Sequence, residues 1–153
     1  MMTESGVAYL DTNVFIDAIE GPEAISAPMK AFLEAGRAKR GAFVTSELTL
    51  AEVLGPSGGQ SLPIDLKRAY LDLIVWSGFV DLMPVTRDVL YETASLRQFA
   101  RLKLLDAIHL ATAVRSGCRF FVSRDQDFKQ LPIGMEKVTS DSPALDSLME
   151  ALR

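Results

Sequence analysis

The chain has 153 residues, within the ~100 to 200 expected of one domain, and its 48% hydrophobic content can build a sizeable core. A single cysteine, Cys118, excludes an intramolecular disulfide framework and any multi-cysteine zinc site, which points to a reducing, cytoplasmic compartment. A formal net charge of −4 argues against bulk electrostatic binding of nucleic acid, and with no basic-then-apolar leader and no long apolar run a soluble single domain over residues 1–153, without a membrane partner, is expected.

In chain order, residues 7–10 form an apolar strand ending at Asp11, and NVFIDAI behind it reads as a helix that stops at Gly21-Pro22. Residues 24–39 look helical and close at Gly41, after which 42–45 is a second strand. Ser46 can cap the next helix, with Glu47 in its first turn; that helix carries Glu52 and ends near Gly55-Pro56. The Gly/Ser/Pro-rich stretch PSGGQSLP, 56–63, is a candidate mobile lid beside Glu52. Residues 64–76 read as a helix, 79–85 as a strand stopped by Pro84, 87–100 as a helix, and 104–116 as the most apolar helix, closed by Gly117. Strands over 119–123 and 136–139 and a terminal helix over 143–152 complete the chain. Strands alternating with helices predict an α/β fold, a three-layer α/β/α sandwich around a parallel sheet whose ligands bind at the carboxyl ends of the strands. Asp11 and Asp125 are both placed there. The basic clusters, Arg37 with Lys39 and Arg40, and Arg97 with Arg101 and Lys103, read first as solvated helix faces.

Four acidic positions carry the chemical argument, because each follows an apolar strand or sits in an otherwise apolar helix, where an uncompensated carboxylate is costly. Asp11 follows its strand directly with Thr12 and Asn13 beside it; it is either a metal ligand or a helix N-cap. Glu52 lies on a helix apolar on both sides, so it either pairs with a buried arginine or binds metal. Asp106 heads a narrow polar stripe, Asp106, His109, Thr112, Arg115 and Ser116, and could instead serve only the helix dipole. His109, the only histidine, is either a satisfied structural residue or a proton shuttle or partner of a ligand carboxylate. Asp125 and Asp127 follow the strand at 119–123, whose Ser123 adds a hydroxyl; one acid is expected to bind metal and the other to cap the turn, with Asp125 assigned to the metal. Four acids without a cysteine cluster suit Mg²⁺ or Mn²⁺ better than zinc, and such ions activate water for in-line attack on a phosphodiester.

Taken together, DTN (11–13), T-x-x-E (49–52), DAIHLATA (106–113) and S-x-D-x-D-F (123–128) resemble, in order and spacing over nearly the whole chain, the PIN-domain family and most closely the toxin ribonucleases of VapBC-type modules. The resemblance implies an α/β/α sandwich, Mg²⁺- or Mn²⁺-dependent endoribonuclease activity on single-stranded or structured RNA, a homodimer, and inhibition by a cognate antitoxin protein. Asp11, Glu52 and Asp106 match the three principal acids of the family and Asp125 the more variable fourth, while Asn13 and Ser123 match its polar supports. Competing readings are a stand-alone PIN nuclease, a non-catalytic PIN-like scaffold that binds RNA or protein, and a Mg²⁺-dependent phosphatase. The last wants an aspartate two residues after the strand-end nucleophile, where this chain has Asn13.

Overall fold

A computed structural model describes residues 7–55 and 58–153, so Pro56 and Ser57, at the head of the expected lid, lie outside the described residues. Five strands form one sheet: β1 (Ala8–Leu10), β2 (Phe43–Ser46), β3 (Val80–Met83), β4 (Phe120–Val122) and β5 (Glu136–Val138). All neighbouring pairs are parallel and the order is β3-β2-β1-β4-β5. The helices are α1 (Thr12–Glu20), α2 (Glu23–Gly36), α3 (Leu48–Leu54), α4 (Ile64–Leu71), α5 (Arg87–Phe99), α6 (Leu104–Arg115) and α7 (Ala144–Ala151).

The two-residue period of the strands divides the core in two. Ala8 and Leu10 of β1, Phe43 of β2, and Phe120 and Val122 of β4 point into a cluster with Val14 and Phe15 of α1, Phe32 and Leu33 of α2, and Leu148 of α7. Tyr9, Val44 and Phe121 point the other way, into a cluster with Val89 and Leu96 of α5 and Ala107, Leu110 and Ala111 of α6. This is the expected three-layer α/β/α sandwich, with both sheet faces covered as a parallel sheet requires. The chain runs outward from β1 through β2 to β3, then crosses back to place β4 on the other side of β1. The crevice between β1 and β4 is therefore a topological switch point, where the carboxyl ends of two strands diverge and leave room for a ligand.

Local departures from the sequence expectation have physical causes. α2 stops at Gly36, three residues before the expected end, and that glycine lies against the Phe43 ring: a Cβ there would fall 2.2 Å from Phe43 Cε2. Gly41, at φ 78, then supplies the left-handed residue that leads into β2. Ser46 belongs to β2 rather than to the cap position; Glu47 occupies that position, and the Ser46 hydroxyl accepts the Leu48 N–H at 3.0 Å from one residue further back. The helix expected over 64–76 changes register after Leu71 into a π-helical turn, Asp72–Trp76, which keeps Ile74 buried.

Candidate active site

Asp11 takes the N-cap of α1 with extended backbone and accepts the Thr12 N–H on Oδ1 at 2.9 Å. Its Oδ2 accepts from the Ser123 hydroxyl at 2.7 Å and from Asn13 Nδ2 at 3.2 Å. The cap and the crevice are thus not alternatives, because the two oxygens of one carboxylate face different partners. Asp11 is 5% exposed, and the donors that stabilise it are neutral. Ser123 is a hub: it donates to Asp11 and accepts from the Asp125 N–H at 3.0 Å and Asn13 Nδ2 at 3.3 Å, stitching the end of β4 to the start of α1.

Glu52, on α3, meets no buried arginine. Its Oε1 accepts from the Thr12 hydroxyl at 2.8 Å and lies 2.5 Å from His109 Nε2. Burial pushes the Glu52 carboxyl upward, yet the hydrogen bonds from His109 and Thr12 outweigh it and hold the group below the ordinary glutamate range. His109 is itself 1% exposed, and its Nδ1 lies 2.5 Å from the hydroxyl of Tyr9, a residue with no exposed surface. That hydroxyl oxygen accepts the Ser46 N–H at 3.1 Å. Burial, with the Asp11 charge adding to it, pushes the Tyr9 hydroxyl well above its ordinary range, so it stays protonated and can donate to His109 Nδ1. The imidazole then carries its proton on Nε2 and donates to Glu52. The chain Ser46, Tyr9, His109, Glu52 satisfies each buried polar group along it.

Tyr9 escaped the sequence reading, which took VAYL only as an apolar strand. The available signal was strand parity: Tyr9 alternates with Ala8 and Leu10, so it must face the opposite layer, and a buried tyrosine hydroxyl needs a partner. Lys137 escaped too. It reaches across from β5 to donate to the Asp125 carbonyl at 2.6 Å and so holds the turn after β4.

The compact carboxylate cluster among the described residues consists of Asp106, Asp125 and Asp127, each offering an oxygen within 4.8 Å of the others. Asp106 projects from the first turn of α6, and Asp125 and Asp127 from the turn after β4. Here capping and clustering again share one residue: Asp125 Oδ1 accepts the Asp127 N–H at 2.9 Å, so Asp125 caps the turn while both acids stay in the cluster. Asp11 and Glu52, expected from sequence to share the metal, are not members of this trio, whose third acid is Asp127; Asp11 is near enough for its charge to act on Asp106, while Glu52 is held by Thr12 and His109. Burial first, then the charges of Asp125 and Asp11, raise the Asp106 carboxyl above its ordinary value, against a smaller lowering by His109. Among the described residues no lysine or arginine side chain forms an ion pair with Asp106, Asp125 or Asp127. Hard oxygen donors crowded together, with one of them held back from ionisation by burial and by its acidic neighbours, are a donor set that fits a hard divalent cation.

Comparison of the sequence with curated proteins finds no match. Among solved structures, the chain is similar to a toxin–antitoxin complex from Klebsiella pneumoniae, at 27% identity over 87% of this chain and 97% of that one with a TM-score of 0.62. It shares its fold with VapBC2 from Rickettsia felis bound to a promoter DNA fragment, at 16% identity over 87% and 98% of the two chains and a TM-score of 0.64. DNA-bound VapBC from Salmonella typhimurium aligns at 16% identity over 88% and 98%, with a TM-score of 0.62. A family model described as PIN domain matches residues 8–134, a span that begins with β1 and takes in every acid of the crevice, and the chain therefore belongs to the PIN-domain family.

Proposed function

We propose that this chain is a Mg²⁺- or Mn²⁺-dependent endoribonuclease that cleaves single-stranded RNA and serves as the toxin of a toxin–antitoxin pair, residues 1–153 acting as one PIN-like unit. The observation that carries the reading is the convergence of Asp106, Asp125 and Asp127, with Asp11 beside them, at the switch point between β1 and β4 without a cationic side chain to balance them. Membership in a family of nucleases and likeness to toxin–antitoxin complexes support it.

Asp106 and Asp125 would hold the cation, with Asp127, Asp11 and Glu52 as the remaining acids available to it or its waters. Bound there, the ion would lower the pKa of a water and neutralise charge on the phosphate and leaving oxygen. The protein's own work is positional. Ser123 and Asn13 fix the second oxygen of Asp11, and Thr12 and His109 hold one oxygen of Glu52, leaving Oε2 without a hydrogen bond in the described structure.

Both Asp106→Asn and Asp11→Asn should abolish metal-dependent cleavage of labelled single-stranded RNA while the circular dichroism spectrum stays native, since each removes a charge with little change of volume. Wild-type rates in either purified variant would refute the assignment. Exposed apolar side chains support two protein contacts: Leu90 and Tyr91 on α5 suit a homodimer, and Ile64, Val75 and Trp76 on α4 and the turn after it suit an apolar antitoxin segment. Co-expression with a neighbouring small gene product should yield an inactive complex. If no such partner associates, the stand-alone nuclease reading replaces the toxin reading; metal-independent RNA binding without turnover would instead favour the scaffold.

A further inference from the structure

A cleft of about 450 Å³ opens beside the acids, lined by Phe99, Arg101 and Leu102 on one wall and by Asp127, Lys129 and Gln130 on the other. Its walls are the two segments that deliver the acids: the connection from α5 to α6 leads into Asp106, and the segment after β4 continues from Asp125. Asp127 belongs to both the cleft and the carboxylate cluster, so the two are continuous. The volume lies within the ~300 to 1,000 Å³ typical of small-ligand sites.

The chemistry of the cleft differs from that of the crevice it joins. Arg101 and Lys129 are exposed and face the cleft, and like most basic residues of the chain they form no ion pair with another described residue, so both are open to a ligand. Phe99, the last residue of α5, is 55% exposed at the same place. A singly exposed phenylalanine is ordinary. One that shares a cleft with two unpaired cations, next to a cluster of acids, is a combination that suits a ligand with both negative charge and flat apolar faces.

We propose that this cleft is the track for the RNA strand: Arg101 and Lys129 engage phosphates next to the one being cleaved, and the Phe99 ring stacks on an unpaired base. The assignment rests on the ribonuclease reading above and adds to it where the strand lies and why it must be single. In a duplex the bases are stacked on one another and offer no free face to Phe99. The cations also answer the problem posed by a net charge of −4, because they supply a local attraction beside acids that a polyanion would otherwise avoid.

The test uses full-length protein carrying Asp106→Asn, so that binding of a short labelled single-stranded RNA is read without cleavage, followed by cleavage kinetics in the otherwise wild-type chain. Adding Phe99→Ala should weaken binding by about 5- to 100-fold. Phe99→Leu should be as weak and Phe99→Trp should bind at least as well as the parent. Arg101→Gln with Lys129→Gln should make the dependence of log affinity on log salt shallower by about 1.4 and raise KM with little change in kcat. Arg153→Gln, on the far layer beyond α7, should change neither. Variants that bind and cleave like their parents, or a parent that binds duplex as tightly as single strand, would overturn the track while leaving the nuclease reading standing. If wild-type protein cleaves no RNA but these variants lose binding, the nuclease reading fails and the cleft stands as an RNA-binding track without cleavage; no binding and no cleavage by wild type would sink both.

Discussion

Replacing Tyr9 with phenylalanine isolates one hydroxyl. The ring should stay in place, since it stacks on Phe121 at 5.2 Å between centroids with an 11° interplanar angle and meets the His109 edge at 5.8 Å. What is lost is the oxygen that accepts from Ser46 N–H and bonds His109 Nδ1, both in a region without solvent. Each buried group left unpaired costs about 1 to 3 kcal/mol, so with some relaxation the substitution should destabilise the fold by about 2 to 4 kcal/mol. For a chain of this length that corresponds to a melting temperature lower by about 4 to 16 °C. A second effect should appear at the site. With Nδ1 unpartnered, the imidazole loses the bond that fixes its tautomer, and Glu52 loses a fixed partner; such supporting bonds are worth about 10- to 100-fold in metal affinity or activity. Thermal melts without metal, paired with manganese titration of the melting temperature, measure the two effects separately. A Tyr9→Phe protein that melts within about 2 °C of wild type and responds to manganese at the same concentrations would refute the chain from Ser46 to Glu52.

Three further outcomes are expected. Gly36→Ala should destabilise the protein by about 1 to 3 kcal/mol, read as a lower urea midpoint at unchanged slope, because the new Cβ would fall 2.2 Å from a Phe43 ring carbon in the core. For Asp106 the folded-state pKa is raised, so the native state binds the proton more tightly than the unfolded chain, and metal-free wild type should lose stability as pH rises through that raised value. Asp106→Asn should therefore melt higher than wild type at neutral pH without metal, and the gain should vanish below the ordinary aspartate value near ~3.9; an advantage that persisted at low pH would contradict it. Manganese at about 100 times its Kd should stabilise wild type by about 2.7 kcal/mol through binding to the native state, with a smaller rise for Asp106→Asn, and a melt indifferent to the ion would refute the donor set.

The outline of the fold was legible because the period-2 apolar runs and the helical stretches alternate cleanly, and that alternation admits few architectures. Asp11 was legible for the same reason, as the residue directly beyond a strand, whereas Ser123 reads from the sequence as the last residue of a strand that in fact ends at Val122. Less legible was anything decided by a contact across the sheet. The need for glycine at position 36 depends on a ring 7 residues further on, whose demand for space leaves no mark in the helix's own sequence. Glu52 was readable as an acid on an apolar helix needing a partner, but that the partner is His109, 57 positions away, follows only once α3 and α6 are placed together. The division of labour between Asp125 and Asp127 could not be read either: both reach the cluster, and Asp125 caps the turn as well, because one carboxylate has two oxygens to spend.

The return of β4 to the side of β1 has a consequence for how the molecule is made. Ser123 bonds the second oxygen of Asp11 across 112 positions of chain, at 2.7 Å against 3.2 Å for the local donor Asn13. Loops of this length close late, after the local helices and the β1–β2 pairing have formed. The mutual repulsion of the acids is thus deferred until most of the apolar surface is already buried and able to bear it. An amino-terminal fragment that ends before Phe120 would contain Asp11, Glu52 and Asp106 yet lack the strand that brings them into one site. During synthesis the proposed site therefore cannot assemble until the residues of β4 and the turn after it have left the ribosome.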